Sequence, residues 1–138
     1  MPTQTSAQRR EEARHAHRAA VDLCPTNRVL DRLGDKWVGL VLVELEKGRS
    51  RHADLARALA GASQKMLTQT LRELERDGLV ERSVTPSVPV RVDYALTPLG
   101  ESLLPVLHTV TRWATRHIDD VDAAQRAYDR NRTPRSHK

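Results

Sequence analysis

The sequence predicts a mainly α-helical chain carrying one small β-hairpin. Three observations lead there. Residues 63–78 place Leu67, Leu71 and Leu74 at i, i+4 and i+7, one apolar stripe at helical period, with Ser63 as N-cap and Gly78 as C-terminal stop. Residues 90–96 alternate Val90, Val92, Tyr94 and Leu96 with Arg91, Asp93 and Ala95, the period-two pattern of a half-buried strand. Upstream, Leu55, Ala56 and Leu59 mark a second short helix, separated from the first by Gly61. Two helices joined by a short glycine turn and followed by a hairpin make a winged helix-turn-helix layout.

Composition narrows the class. A chain of 138 residues is expected to form one domain. With 38% apolar residues and no Phe, leucine and valine must fill the core. No apolar run approaches the roughly 20 residues of a membrane span. The N-terminal arginines have no apolar stretch behind them, unlike a secretory signal, so a cytoplasmic protein is expected. The net charge of +5 is unevenly placed: residues 47–91 hold nine Lys/Arg against five Asp/Glu, and both ends are basic. The segments between, 21–46 and 92–124, are acidic. Positive charge on the reading head and tails suits a protein that faces phosphate.

In chain order, residues 1–7 read as unstructured. Ser6 to Leu23, rich in Arg, Glu and Ala, suits an exposed or partner-packed helix. Pro25 opens a short helix with Val29, Leu30 and Leu33 on its apolar side, ended by Gly34. The run WVGLVLVEL at 37–45 is apolar on every side and predicts a buried central helix. In the hairpin turn, Pro86 and Pro89 suit an exposed tip. Thr97 and Pro98 start a last long helix, with Pro105 expected to kink it. Its apolar residues form two rows: Leu99, Leu103, Val106, Val110 and Trp113, then Leu104, Leu107, Ala114 and Ile118. Two rows imply a second surface to bury. A homodimer is the economical answer, with Leu103, Leu104, Leu107, Val110, Trp113 and Ile118 in its interface; the other reading buries both rows within the chain. The resulting organisation is an N-terminal extension, partly helical, at 1–23, a winged helix-turn-helix at 24–97, a dimerisation helix at 98–124 and a flexible basic tail at 125–138.

Chemistry points to DNA. Gln64, Lys65, Thr68, Gln69 and Arg72 share the polar face of the 63–78 helix, and Gln and Arg make bidentate contacts with base edges. Ser63 stands at that helix's start. Arg82 and Arg91, flanking the hairpin turn, and Arg51 with His52 suit the phosphate backbone. A protein-docking helix would carry apolar residues on that polar face, so a winged-helix interaction module without sequence-specific DNA binding is the rival. Nothing resembles a catalytic constellation: phosphate loops and nucleophile motifs are absent, and Asp119, Asp120 and Asp122 read as a solvated helix end. No His/Cys/Asp set has zinc spacing, His15, His17, His52, His108, His117 and His137 being scattered. No metal and no cofactor are expected.

The order of motifs resembles the HxlR-type transcriptional regulators, bacterial winged-helix relatives of the MarR group. The similarity rests on CPTNRVLDRLGDKW at 24–37, SQKMLTQTLRELERDGLVER at 63–82 and VPVRVDYALTPLGESLLPVL at 88–107. It implies a dimeric DNA-binding regulator, a repressor in preference to an activator, on a palindromic operator. The dimer would be built from the N- and C-terminal helices. By this resemblance the helix from Ser63 is the recognition helix and 85–91 the wing. The resemblance also bears on Cys24, the single cysteine, because some members sense oxidants, quinones or other electrophiles through a cysteine at this position. A site before Pro25, at a helix N-cap, favours thiolate, with Arg28 one turn on and Asp22 opposing. The other readings are a buried small hydrophobe and a regulator controlled by a small non-covalent ligand.

Overall fold

The computed structural model describes residues 3–132. Among the described residues six helices and three strands follow in the order α1 (Ser6–Leu23), α2 (Pro25–Leu33), α3 (Lys36–Leu45), β1 (Ser50–Arg51), α4 (His52–Ala58), α5 (Gln64–Arg76), β2 (Val80–Thr85), β3 (Arg91–Leu96) and α6 (Pro98–Arg132). The mainly helical winged helix-turn-helix expected from the sequence is what forms.

Local chemistry sets the element ends. Thr5 and Gln8 form a reciprocal capping box at the start of α1. Pro25 occupies the first turn of α2, and the Asp35 carboxylate accepts from the Trp37 amide to open α3. Ser63 Oγ accepts from the Met66 amide at 3.1 Å, capping α5. Gly61 and Gly78, on either side of α5, have φ of 108° and 76°, the left-handed region where a side chain is disfavoured.

The core lies where α3, α4 and α5 meet the sheet. Val38, Val41, Leu42 and Leu45 pack with Leu55, Leu59, Leu67, Leu71, Leu74, Val80 and Tyr94. The stripe Leu67, Leu71 and Leu74 is buried as expected, joined by Thr70. Two expectations need correction. The α3 helix is not buried on every side, since Leu40 and Val43 are exposed: its neighbours in the core cover only the face that carries Val38, Val41, Leu42 and Leu45. In α2, Val29 and Leu30 are likewise exposed and only Leu33 reaches the core.

The sheet is antiparallel in the order β1-β3-β2. The strand β1 was not foreseen, because two residues show no period. In β3 the simple alternation fails: Asp93 and Tyr94 are both buried, while Val90 lies outside the strand and exposed. Tyr94 belongs to the core, while on the other face of the strand the Asp93 carboxylate accepts from Arg91 Nε and is buried where a solvent-facing residue was expected. Register also separates the two wing arginines, with Arg91 opposite Thr85 beside the turn and Arg82 opposite Tyr94 further in.

Thr97 joins the hairpin to α6. Its Oγ1 donates to the Gly78 carbonyl at 2.6 Å and accepts from the Gly100 amide at 3.0 Å. Gly100 is required by this junction, since a Cβ there would lie 2.1 Å from the Leu79 carbonyl oxygen. The helix then runs unbroken through Pro105 to Arg132, 35 residues and about 50 Å at 1.5 Å per residue. The flexible tail expected at 125–138 is therefore helical as far as Arg132; residues 133–138, including His137, and residues 1 and 2 lie outside the described residues.

The two apolar rows of α6 divide. Leu104 is 9% exposed and packs with Leu103 and Leu107 on the chain's own core. Val106, Val110, Trp113 and Ile118 remain exposed, with Trp113 at 59%. Leu103, Leu104 and Leu107 therefore contribute to the fold of this chain, Leu103 and Leu107 only partly buried, and exposed apolar surface remains at Leu99 and from Val106 onward. The α1 helix buries no residue; among its ties, Asn27 Nδ2 donates to the Val21 carbonyl at 3.1 Å.

Candidate nucleic-acid interface

The outward surface of α5 follows from its packing. With Leu67, Thr70, Leu71 and Leu74 turned inward, Gln64, Lys65, Gln69 and Arg72 are exposed and Thr68 half-buried. Arg76, one turn beyond Arg72, joins the same exposed face; its place near the helix end hid it in the sequence. Lys65, Arg72, Arg76, Arg82 and Arg51 make no ion pair with another described residue. Their counterparts elsewhere are neutralised: Arg49 by Glu81, Arg57 by Asp54 and Lys47 by Glu44. Unpaired exposed cations on one helix and the adjoining sheet are chemically suited to phosphate and base edges.

Other expected residues are already engaged. Ser63 Oγ caps α5, which leaves its hydroxyl proton for an outside acceptor. His52 is held from two sides, with Nε2 3.5 Å from Thr68 Oγ1 and its ring 6.1 Å from that of Tyr94. These contacts make His52 a link between α4, α5 and β3. Arg91 is not free either: its Nε donates to both oxygens of the Asp93 carboxylate, at 3.2 and 3.0 Å. Because Nε makes these contacts, the two terminal nitrogens of Arg91 remain for a second acceptor. Arg51 pairs with Asp93 in the β1–β3 register, so both arginines share the sheet face of that buried carboxylate.

Behind α5 lies a network that the sequence did not reveal. Arg32 of α2 reaches across to the end of α5, where its Nε donates to Asp77 Oδ2 at 2.5 Å and its NH1 to Glu73 Oε2 at 2.8 Å. Hydrogen bonding to Asp77 raises the Arg32 pKa further, against the cost of partial burial. Separations of 41 and 45 residues leave no sequence signal for such a contact.

Cys24 stands between α1 and α2, half-buried, as C-cap of one and N-cap of the other. Its thiol pKa is lowered, first by the backbone N–H of Asn27 and then by that of Thr26. The lowering comes from the backbone of the α2 N-terminus, and Arg28 and Asp22 are not among the causes. Beyond Pro25 an open groove of about 820 Å³ runs between α2, the end of α5 and the start of α6, lined by Arg28, Val29, Leu33, Leu79 and Leu99 among others. Among the described residues no group of His, Cys, Asp and Glu could hold a metal ion, and no helix is long and apolar enough to cross a membrane.

Comparison with known proteins agrees with this geometry. Residues 32–122 match the family model described as HxlR-like helix-turn-helix. The chain is 39% identical over 110 residues to the uncharacterized HTH-type transcriptional regulator YdeP of Bacillus subtilis, covering 78% of this chain and 86% of that protein. Among solved structures, the redox regulator HypR in its reduced form superposes with a TM-score of 0.68 at 35% identity, covering 72% of this chain and 98% of HypR. The reduced form of the transcriptional regulator YodB from B. subtilis gives 0.61 at 38% identity, covering 67% and 91%.

Proposed function

The chain belongs to the HxlR-like helix-turn-helix family and is a helix-turn-helix transcriptional regulator, and on that premise we propose that it binds operator DNA sequence-specifically as a homodimer. The observation that carries this reading is the α5 face, where exposed Gln64, Lys65, Gln69 and Arg72 stand opposite the buried side that holds Leu67, Thr70, Leu71 and Leu74. In this reading α5 enters the major groove and reads base edges. Arg51, Arg82 and Arg91 on the sheet hold the phosphate backbone. The chain acts as a repressor without catalytic activity. Its dimer buries the free apolar residues of α6, notably Val110, Trp113 and Ile118, together with α1.

The effector reading rests on Cys24. A half-buried thiol with lowered pKa at a helix start is the kind that reacts with oxidants and electrophiles. HypR is a redox regulator by name, and the likeness extends the idea to this chain. With a single cysteine, the products open to Cys24 are an adduct, a sulfenic acid, or a disulfide with a second subunit.

Selection of duplexes from a randomised pool tests the function. Enrichment of a palindrome with half-site centres about 34–36 Å apart supports the dimeric reader. Enrichment of no sequence, with tight binding to all duplexes, would contradict it.

A further inference from the structure

We propose that Arg32, although it lies on α2 behind the reading helix, is a positioning residue for base recognition and acts through Glu73 to set the orientation of the Gln69 amide. The inference rests on the α5 reading of DNA given above and deepens it.

Three side chains form a relay. The Glu73 carboxylate is shared, its Oε2 accepting from Arg32 NH1 at 2.8 Å and its Oε1 from Gln69 Nε2 at 3.1 Å. Asp77 holds the guanidinium in place, accepting from Nε at 2.5 Å and from NH2 at 3.4 Å. A two-point fork fixes the guanidinium plane as well as its charge. NH1 is thereby delivered to Glu73 in one geometry, and Glu73, one turn after Gln69 on α5, is pinned in turn.

What this does to Gln69 follows from amide chemistry. A free Gln side chain turns over readily at its last torsion, which exchanges its acceptor and donor ends. A carboxylate oxygen accepts only, so a pinned Glu73 admits the NH2 group and repels the carbonyl. One N–H is spent on Glu73. The carbonyl Oε1 and the second N–H are left facing outward, an acceptor beside a donor. That pair matches the N6 donor and N7 acceptor of adenine in the major groove. Arg32 also offsets the negative charge of Glu73 at the edge of a surface that must approach phosphate. It touches no base itself.

The test uses the full-length dimer and a duplex selected by the wild-type protein from a randomised pool, together with its single base-pair variants. Affinities are measured for wild type, Gln69→Ala, Arg32→Ala, Glu73→Ala and the Arg32→Ala/Gln69→Ala double variant, with thermal unfolding followed in parallel. Gln69→Ala is expected to lose roughly tenfold preference for adenine at one position. Arg32→Ala and Glu73→Ala should lose most of that same preference at the same position and keep the others. The double variant should discriminate no worse than Gln69→Ala alone. A merely structural role would weaken every duplex equally and leave preference unmoved. Where Arg32→Ala does not fold, Glu73→Ala carries the same comparison.

The proposal is overturned if Arg32→Ala or Glu73→Ala keeps wild-type preference at that position, or if the Arg32 and Gln69 effects add. It is overturned equally if Gln69→Ala changes no preference. A wild-type protein that enriches no sequence would instead sink the DNA-reading function, and this inference with it.

Discussion

Arg91 and Asp93, two residues apart on the central strand, form a pair in which the carboxylate is 5% exposed and the guanidinium is left half in solvent. The cation nearest the tip of the wing is thus anchored from inside the sheet. Arg91→Ala strands a buried carboxylate and should cost about 1–3 kcal/mol in chemical denaturation. Removing both partners, Arg91→Ala with Asp93→Asn, should recover most of that loss. The same double variant should bind all duplexes more weakly, with the salt slope reduced by about one. A destabilised double variant equal to the single one would refute the pairing, and a change in base preference would refute the backbone role.

The division of α6 predicts two different defects. Leu104→Ala opens a cavity in the chain's own core and should cost about 2–5 kcal/mol without changing oligomeric state. Trp113→Glu, on the exposed surface, should leave the fold intact and halve the mass seen by sedimentation. Equal masses for wild type and Trp113→Glu would remove α6 from the dimer interface.

At the start of the same helix, Gly100 sits where a Cβ would come within 2.1 Å of the Leu79 carbonyl oxygen. Gly100→Ala must push α6 off the hairpin base, and should lower stability by about 1–3 kcal/mol or more. Unchanged thermal unfolding would show that this junction yields freely.

For Cys24 the lowered pKa fixes the sign of a pH effect. More thiolate is present at neutral pH than in free cysteine, so the midpoint of the alkylation rate against pH should fall below that of a free thiol. Diamide or a quinone should then release DNA from wild type, and reductant restore binding after diamide. Cys24→Ser should bind and not respond. A Cys24→Ser protein that responds as strongly as wild type places the switch elsewhere.

Much of the fold was legible because its signals are local. The Leu67, Leu71 and Leu74 stripe, the Ser63 cap and the Thr97–Pro98 start are each decided within one or two turns of helix. What escaped depends on pairing between distant segments. The strand β1 has two residues and exists only through β3, Asp93 is buried although the alternation placed it outside, and Arg32 meets Glu73 and Asp77 across 41 and 45 residues. The α6 rows illustrate the same limit. Periodicity found both, but only packing shows that Leu103, Leu104 and Leu107 belong to the chain's own core. At the site, the residue types on α5 were readable, whereas the prior engagement of Arg91 and His52 was not.

The division of labour between α5 and the wing is tested most directly by one affinity series. Wild type, Arg72→Ala and Arg82→Ala are titrated, at several salt concentrations, against the selected duplex and each of its single base-pair variants. Arg72→Ala should lose about 1–3 kcal/mol of discrimination at one base pair, and Arg82→Ala should weaken all duplexes alike and lower the salt slope by about one. An Arg72→Ala protein that keeps every base preference of wild type would contradict the assignment of α5 as the reading helix.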